Sequence, residues 1–386
     1  MKIGILTLPL HTNYGGILQA YAMQVIIKRM GHDVKVINKN RKPYRKSFYI
    51  VIKFFIIRIL STVKHLKLCK FYNINKELES RYEDFLFMTQ HTRKFVAKYI
   101  DCCYVRNYKR DIKPTTFEAI VVGSDQIWSR KHGAVIDGNV ANAYLPFFPK
   151  EHPLLISYAA SFGKDNWEYT KRQEKVARNA IRRFSAVSIR EQSGITLCKE
   201  YLGVDAIQLL DPTLLLQAKD YITDIDLEKV AESPGNMLVY IIDGNKEKDA
   251  IVSHCENRLN LKHFIVNSRA EDDNIQNKSI EDCVQPPVEQ WLRGFYDAKF
   301  VVTDSFHACV FSILFHKPFI IIGNESRGNA RFVSLLSLLH LSEHLVRSLQ
   351  DISNFDVTKQ IDFDRVDSLL EVEREKAFNY LKTYLS

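Results

Sequence analysis

Short apolar runs that end in polar residues and then pass into helix-like stretches recur along this 386-residue chain. At residues 300–303 such a run leads into Asp304-Ser305-Phe306-His307, and a further apolar stretch follows. A buried strand followed by a helix, repeated many times, predicts parallel sheets covered by helices on both faces. The pattern therefore predicts the α/β fold class.

The runs fall into two groups, one on each side of a polar stretch that contains Pro234-Gly235. The predicted strands are Ile3–Leu8, Val34–Ile37, Ala119–Gly123, Leu154–Tyr158, Ala186–Ile189 and Ala206–Leu210, then Met237–Gly244, His263–Val266, Phe300–Thr303 and Pro318–Gly323. We therefore predict an N-terminal Rossmann-like domain over 1–220, a linker over 221–236 and a second such domain over 237–350. A helical segment over 351–386 follows, and a central cleft is expected between the domains.

Composition describes an ordinary globular protein, with 46% hydrophobic and 26% charged residues. No apolar run has the length of a membrane span, and the start of the chain has no signal-peptide pattern. The seven cysteines are scattered without metal or redox spacing. We expect a cytoplasmic protein with reduced cysteines.

The net charge of +9 is concentrated in one segment, because no acidic residue occurs between Asp33 and Glu77. Aromatic and aliphatic residues alternate with cations over 41–70, which is typical of a segment lying on anionic lipid. A core-packed helix with a solvated basic rim, or a patch for an acidic acceptor, explains the pattern equally simply. Nucleic acid is not expected as a partner, since no recognised binding module accompanies the charge.

The stretch around His307 has the features of an anion site. Ligands of α/β sheets bind at the carboxyl ends of strands, and a helix N-terminus there favours negative charge. Arg327 and Arg331 follow about twenty residues later. Near the start of the chain, the turn from Asn13 to Gly16 is rich in glycine, which would let the backbone approach a ligand closely.

Several short motifs occur together in a fixed order. They are Asn13-Tyr14-Gly15-Gly16, Gly123-Ser124-Asp125-Gln126-Ile127-Trp128, Ser157-Tyr158-Ala159-Ala160-Ser161-Phe162-Gly163, Ser188-Ile189-Arg190-Glu191, Asp211-Pro212-Thr213, Thr303-Asp304-Ser305-Phe306-His307 and Arg327-Gly328-Asn329-Ala330-Arg331. In this order and spacing, over roughly residues 1–340, the chain resembles the polysaccharide pyruvyl transferase family.

That resemblance implies a GT-B-like fold and the transfer of pyruvate from phosphoenolpyruvate to a sugar as a cyclic ketal. The acceptor would be a lipid-linked or nucleotide-linked precursor of a capsule, an exopolysaccharide or a cell-wall glycan. Phosphoenolpyruvate would be the donor substrate, with no metal ion and no organic cofactor. A lipid-linked acceptor would suit a cytoplasmic protein that contacts the inner face of the cell membrane through 41–70.

The same resemblance, read with the chemistry of the residues, suggests roles. His307 fits a general acid, or a donor to the departing phosphate, since histidine titrates near neutral pH. Asp125 fits the base for an acceptor hydroxyl, although it would also suit a helix N-cap. The phosphate and carboxylate of the donor call for arginines, which bind such groups with paired hydrogen bonds. These are Arg190, Arg327 and Arg331.

Ser305 marks a departure, because many members of the family have an arginine at that position. We expect Arg327 and Arg331 to supply the missing charge. The remaining predicted substrate contacts come from Ser305 itself, Asn329, Asn13, Gly15 and Gly16. Asp211-Pro212 is interpreted as a turn that ends the first domain, and Asp304 as a structural residue able to cap the following helix.

Two other functions remain open at this stage. A glycosyltransferase that uses a nucleotide sugar would share the fold, since fold does not determine chemistry. A non-catalytic scaffold at the membrane surface would use the 41–70 segment instead of the cleft.

Overall fold

The computed structural model describes residues 1–39, 82–149, 153–267, 279–324 and 328–386. The predicted membrane-contact segment 41–70 lies outside the described residues. In the described part of the chain, no helix combines the length and the apolar character needed to cross a membrane.

The first sheet has five parallel strands in the order β3-β2-β1-β4-β5. The strands are β1 (Lys2–Leu6), β2 (Asp33–Lys39), β3 (Cys102–Val105), β4 (Ala119–Val122) and β5 (Leu154–Ser157). Beside β5 lies a parallel pair, β6 (Ser188–Ile189) and β7 (Ile207–Gln208), joined to the edge through bridges at Ile156–Ala186 and Ala160–Ile189. Every residue of β4 is buried, as its apolar sequence predicts.

The second sheet is also parallel, in the order β12-β11-β10-β8-β9. Its strands are β8 (Met237–Tyr240), β9 (His263–Ile265), β10 (Phe300–Thr303), β11 (Phe319–Ile322) and β12 (Leu345–Val346). The prediction of two Rossmann-like α/β units is confirmed.

Helices connect the strands of both units. Those of the first unit are residues 82–88, Tyr14–Arg29, Gln90–Tyr99, Tyr108–Asp111, Lys171–Ile181, Gln192–Leu197 and Ala218–Asp224. Those of the second are Lys246–Leu259, Val288–Asp297, Phe306–Leu314, Ala330–Leu338, Leu349–Asn354 and Phe363–Leu385. The segment predicted as a linker contains a 3₁₀ helix, Leu227–Lys229, and Leu227 is fully buried.

Each sheet has a point where the strand order reverses. In the first unit it lies between β1 and β4, and in the second between β8 and β10. The carboxyl ends of strands flanking such a point form a crevice in which ligands bind. Asn13 and Asp125 follow β1 and β4, whereas His307 follows β10. The fold therefore places the predicted site residues at the two reversal points.

Aromatic packing holds the units together on one side of these crevices. The Tyr14 ring stacks on Trp291 with centroids 5.6 Å apart, and its hydroxyl donates to the carbonyl of Pro286 at 2.8 Å. On another side, the C-terminal helix packs back onto the first unit. Its Tyr380 hydroxyl donates to the Ser157 carbonyl at 2.8 Å, and Arg374 Nε donates to the Leu214 carbonyl at 2.7 Å.

Candidate active site between the two α/β units

The turn after β1 contributes Asn13 to the site. Asn13 caps the helix Tyr14–Arg29 by accepting a hydrogen bond from the Gly16 backbone N–H at 3.0 Å. Its amide also donates to Asp125 Oδ2 at 3.0 Å. The cap thus orients a carboxylate contributed by a different strand.

Asp125 follows β4 in a left-handed backbone conformation, with φ of 58°. Gly123 precedes it with φ of 135°, and a Cβ there would lie 2.1 Å from the Tyr158 carbonyl oxygen. Only glycine fits this position, which explains the Gly123-Ser124-Asp125 motif physically. The alternative N-cap interpretation of Asp125 is wrong, because residues 124–132 form bends and turns and no described helix begins at Asp125. Its carboxylate contacts Asn13 and Arg190.

Arg190 lies beyond the end of β6 and joins two carboxylates. Its Nη1 is 2.6 Å from Asp211 Oδ2, and its Nη2 is 3.4 Å from Asp125 Oδ1. The guanidinium also stacks over the ring of Phe306 from the second unit, 4.6 Å from the centroid. Arg190 is therefore at the centre of the site, but it is held by carboxylates and does not face open solvent.

The second unit contributes His307 to this cluster. This histidine lies on the first turn of the helix Phe306–Leu314. Its Nε2 lies 3.5 Å from Asp211 Oδ2. A Cβ built on Gly15 would lie 2.0 Å from His307 Nδ1 and 2.1 Å from Cγ. The histidine ring thus occupies the space that a side chain at position 15 would need.

Arg331 and Asn329 are two further predicted residues of the second unit. The Arg331 guanidinium is 5.5 Å from the centroid of the Phe306 ring. Like Arg190, Arg331 is a buried cation. Asn329 Oδ1 accepts from the Asn324 backbone N–H at 2.8 Å, which shapes the loop before the helix Ala330–Leu338. Arg327 lies outside the described residues.

Ser305 and Asp304 do not cap the following helix. Ser305 is buried, makes no capping hydrogen bond through its side chain, and donates its backbone N–H to Thr303 Oγ1 at 3.0 Å. Asp304 accepts from Lys248 Nζ at 2.6 Å and from the backbone N–H of Ile242 at 2.7 Å. The structural role of Asp304 is as predicted, but it braces the carboxyl ends of β8 and β10.

Asp211 is the functional candidate that sequence reasoning missed. The turn interpretation is correct, since its Oδ1 accepts from the Thr213 backbone N–H at 3.1 Å and begins a 3₁₀ helix, Pro212–Leu215. Its Oδ2, however, also contacts Arg190, Ser124 Oγ and His307. The sequence feature that could have identified Asp211 as a site residue is its position among the ordered motifs, at the end of a predicted strand.

Charges are concentrated in a small buried volume. Asp125, Arg190, Asp211, His307 and Arg331 are each at most 7% exposed. Burial raises the pKa of Asp125, but the charges of His307, Arg190 and Arg331 outweigh it and hold that pKa below its usual value. For Asp211 burial is likewise opposed by His307, Arg190 and Thr213, which hold its pKa well below the ordinary range. Both carboxylates are therefore ionised at neutral pH.

Stability should fall when these carboxylates are protonated. Folding lowers the pKa of both carboxylates. The stability that they contribute is therefore fully present above their pKa in the unfolded chain, about 4, and is lost as the pH falls through their pKa values in the folded protein. We expect the urea midpoint to decrease below about pH 4, and to decrease less in Asp211→Asn than in the parent. Equal pH dependence in the two proteins, followed by circular dichroism, would contradict the assignment.

Gly15 offers a direct test of the contact between the units. Alanine is about 1 kcal/mol more favourable than glycine within a helix, so Gly15→Ala should not weaken the helix itself. Its Cβ would displace the His307 ring, and a misplacement of about 1 Å can cost about 100-fold in rate. We expect at least that loss in the rate of any reaction that depends on the position of His307. Gly294→Ala is the control, since its Cβ would meet Val266 Cγ1 at 3.2 Å, away from the site.

Two α/β units thus enclose a buried, charged cluster between the reversal points of their sheets. Residues 13–326 match the sequence model of one family, described as polysaccharide pyruvyl transferase. The chain belongs to that family. No curated protein matches the chain at a significant level.

Solved structures resemble the chain at low identity over nearly its full length. UGT89C1 from Arabidopsis thaliana has 9% identity and a TM-score of 0.45, with 99% of this chain and 95% of that chain covered. A putative UDP-N-acetylglucosamine 2-epimerase from Listeria monocytogenes has 10% identity and a TM-score of 0.46, covering 96% and 90%. A glycosyltransferase from Rickettsia africae has 11% identity and a TM-score of 0.45, covering 98% and 93%.

Proposed function

We propose that this protein transfers pyruvate from phosphoenolpyruvate to a sugar as a cyclic ketal, in the biosynthesis of a capsule, an exopolysaccharide or a cell-wall glycan. Membership of the family supports this proposal. The observation that carries it is the contact of His307, from the second unit, with Gly15 and Asp211 of the first. A proton donor and a carboxylate, Asp125, are thereby assembled with two arginines.

The donor would bind between the units, where its phosphate and carboxylate meet Arg331 and Arg190. The cavity lined by Arg190, Asp211, Phe306 and Arg331 has a volume of only about 10 Å³, the space of about one water molecule. Binding therefore requires the units to separate locally, and it would replace part of the contact between Arg190 and the aspartates. Asn329 and the backbone at Ser305 would complete the wall on the second unit.

The reaction needs a proton at the methylene carbon of phosphoenolpyruvate, and His307 is placed to supply it. One sugar hydroxyl then bonds to the central carbon and releases its proton, and inorganic phosphate leaves with the C–O bond electrons. A second hydroxyl of the same sugar closes the ketal and loses its proton. Phosphoenolpyruvate carries the activated group itself, so the proposal requires no metal ion or organic cofactor.

Asp125 would orient the acceptor hydroxyl and accept its proton as positive charge develops on the central carbon. Its lowered pKa makes it a weaker base at neutral pH than the ideal, which lies near the working pH. An ionised carboxylate in a buried site nevertheless stabilises a developing cation strongly. Asn13 holds this carboxylate, and the missing side chain at Gly16, whose Cβ would lie 3.3 Å from Asp125 Oδ2, would let the acceptor approach it.

The decisive experiment supplies the protein with phosphoenolpyruvate or a nucleotide sugar and with candidate glycan acceptors. Release of inorganic phosphate, together with the mass of a ketal-linked pyruvate on the sugar, would support the proposal. Turnover of the nucleotide sugar alone would instead establish a glycosyltransferase. If neither donor is consumed and His307→Ala leaves function in glycan assembly intact, the protein is a scaffold.

A further inference from the structure

A second cavity, of about 260 Å³, lies at the carboxyl edge of the first sheet. Asn38 and Lys39 end β2, Tyr104 lies near the end of β3, and His11 belongs to the turn after β1. The opposite wall is formed by the helical residues 82–88 and the helix Gln90–Tyr99. The cavity thus occupies the edge at which α/β sheets bind ligands.

The lining combines aromatic rings with positive charge. Tyr82, Phe85 and Tyr104 supply the rings, and Tyr104 is 58% exposed at the cavity. Aromatic faces offer broad apolar contact, which suits the C–H face of a sugar ring. Pockets for larger ligands measure about 300–1,000 Å³, so this one suits a monosaccharide.

The charge on the lining is unbalanced. No carboxylate occurs among the described residues that line the cavity. Lys39 Nζ is 3.2 Å from Asp137 Oδ1 and is largely neutralised there. Arg93 is exposed and forms no ion pair with the part of the chain that the structure describes. A guanidinium in that setting binds a phosphate by paired hydrogen bonds.

Asn38 adds a polar donor. Its Oδ1 accepts from the Leu10 backbone N–H at 3.2 Å, while its Nδ2 makes a long 3.9 Å contact with Cys102 Sγ among the described residues. An amide N–H in that position can donate to a sugar hydroxyl.

The cavity is connected to the catalytic cluster by one short loop. His11 lines the cavity, and Asn13, two residues later, donates to Asp125. Two residues span at most about 7 Å. We propose that this cavity binds the acceptor as a sugar phosphate, with the ring against the aromatics, the phosphate at Arg93, and the reacting hydroxyls directed past Asn13 to Asp125. This inference rests on the proposed function, because it assigns the acceptor of that reaction.

Isothermal titration calorimetry on the full chain tests the assignment without phosphoenolpyruvate. The probes are glucose, galactose and mannose 1-phosphates and the three neutral sugars. At least one phosphate should bind more tightly than its neutral sugar. Arg93→Gln should weaken that phosphate about tenfold or more, as expected for losing a charged hydrogen bond. Tyr104→Ala should weaken the phosphate and the neutral sugar alike.

Lys94→Gln and Phe87→Ala are matched controls. Both positions are exposed neighbours that do not line the cavity, and binding should stay within about twofold of the parent. The inference is overturned if no sugar phosphate binds, if Arg93→Gln and Tyr104→Ala bind as the parent does, or if neutral sugars bind equally well.

Because binding is measured without a donor, this test is separate from that of the proposed function. Sugar phosphate binding with no pyruvyl transfer would refute the reaction and retain the cavity. Transfer to a glycan whose KM is unchanged in Arg93→Gln would refute the cavity and retain the reaction.

Discussion

Replacing His307 with glutamine is expected to lower kcat for pyruvyl transfer by a factor of about 10² to 10⁴, the usual contribution of a positioned acid or base. Glutamine has a similar reach and can form hydrogen bonds, but it cannot deliver a proton to the donor carbon. His307 is only 5% exposed and lies against Gly15, so the glutamine amide would also have to fit a tight space. Phosphate release and pyruvate incorporation, measured at saturating phosphoenolpyruvate, provide the rate.

His316→Gln is the matched control. This histidine belongs to the same unit, but it is about half exposed and pairs with Asp367 at 3.0 Å, away from the charged cluster. Its replacement should leave kcat within about twofold, as expected for a surface substitution. An unchanged kcat in His307→Gln would remove the histidine from the chemistry. A raised KM with unchanged kcat would make it a binding residue only.

Asp211→Asn is expected to lower the free energy of unfolding by about 3–5 kcal/mol, the cost of removing one partner of a buried ion pair. Asp211 is 1% exposed, and its Oδ2 is the closest acceptor of Arg190, at 2.6 Å. Without that carboxylate, the remaining ion pair of Arg190 with the described residues would be the longer 3.4 Å one to Asp125. Urea unfolding followed by far-ultraviolet circular dichroism at pH 7 gives the difference.

Asp205→Asn is the control for this substitution, since its ion pair with Lys199 is largely exposed and should contribute little. A double-mutant cycle with Arg190→Gln separates the pair from its surroundings. The loss in the double variant should be smaller than the sum of the single losses, because the two positions interact directly. Additive losses, or a loss below about 1 kcal/mol in Asp211→Asn, would contradict the arrangement.

Much of the fold follows from local sequence. Strand β10 and the helix after it are set by the apolar run 300–303 and by the polar residues that end it, and both lie where predicted. The C-terminal helix follows from apolar spacing, and Val366, Leu370, Ala377 and Leu381 are buried on one face. Asn13, Asp125, Arg190 and His307 were identified because each comes at the carboxyl end of a predicted strand, in a family motif.

The role of Asp211 depended on contacts that no local pattern encodes. Its turn was predictable from Asp211-Pro212-Thr213, since the same side chain begins the 3₁₀ helix. Its contacts with Arg190, 21 residues away, and with His307 in the other unit exist only in the folded chain. Likewise, Gly15 was predicted to face a ligand, whereas the structure fills the adjacent space with the ring of His307.

The sequence by itself determined the two α/β units, the family and the set of residues at the strand ends, because periodicity and turn chemistry act over a few residues. The tertiary structure alone decided which of these residues meet. It paired Arg190 with two carboxylates, placed His307 against Gly15, and directed Asp304 to Lys248. Such pairings depend on how the two sheets face each other and on which charged groups are desolvated by burial. Both are properties of the whole folded chain.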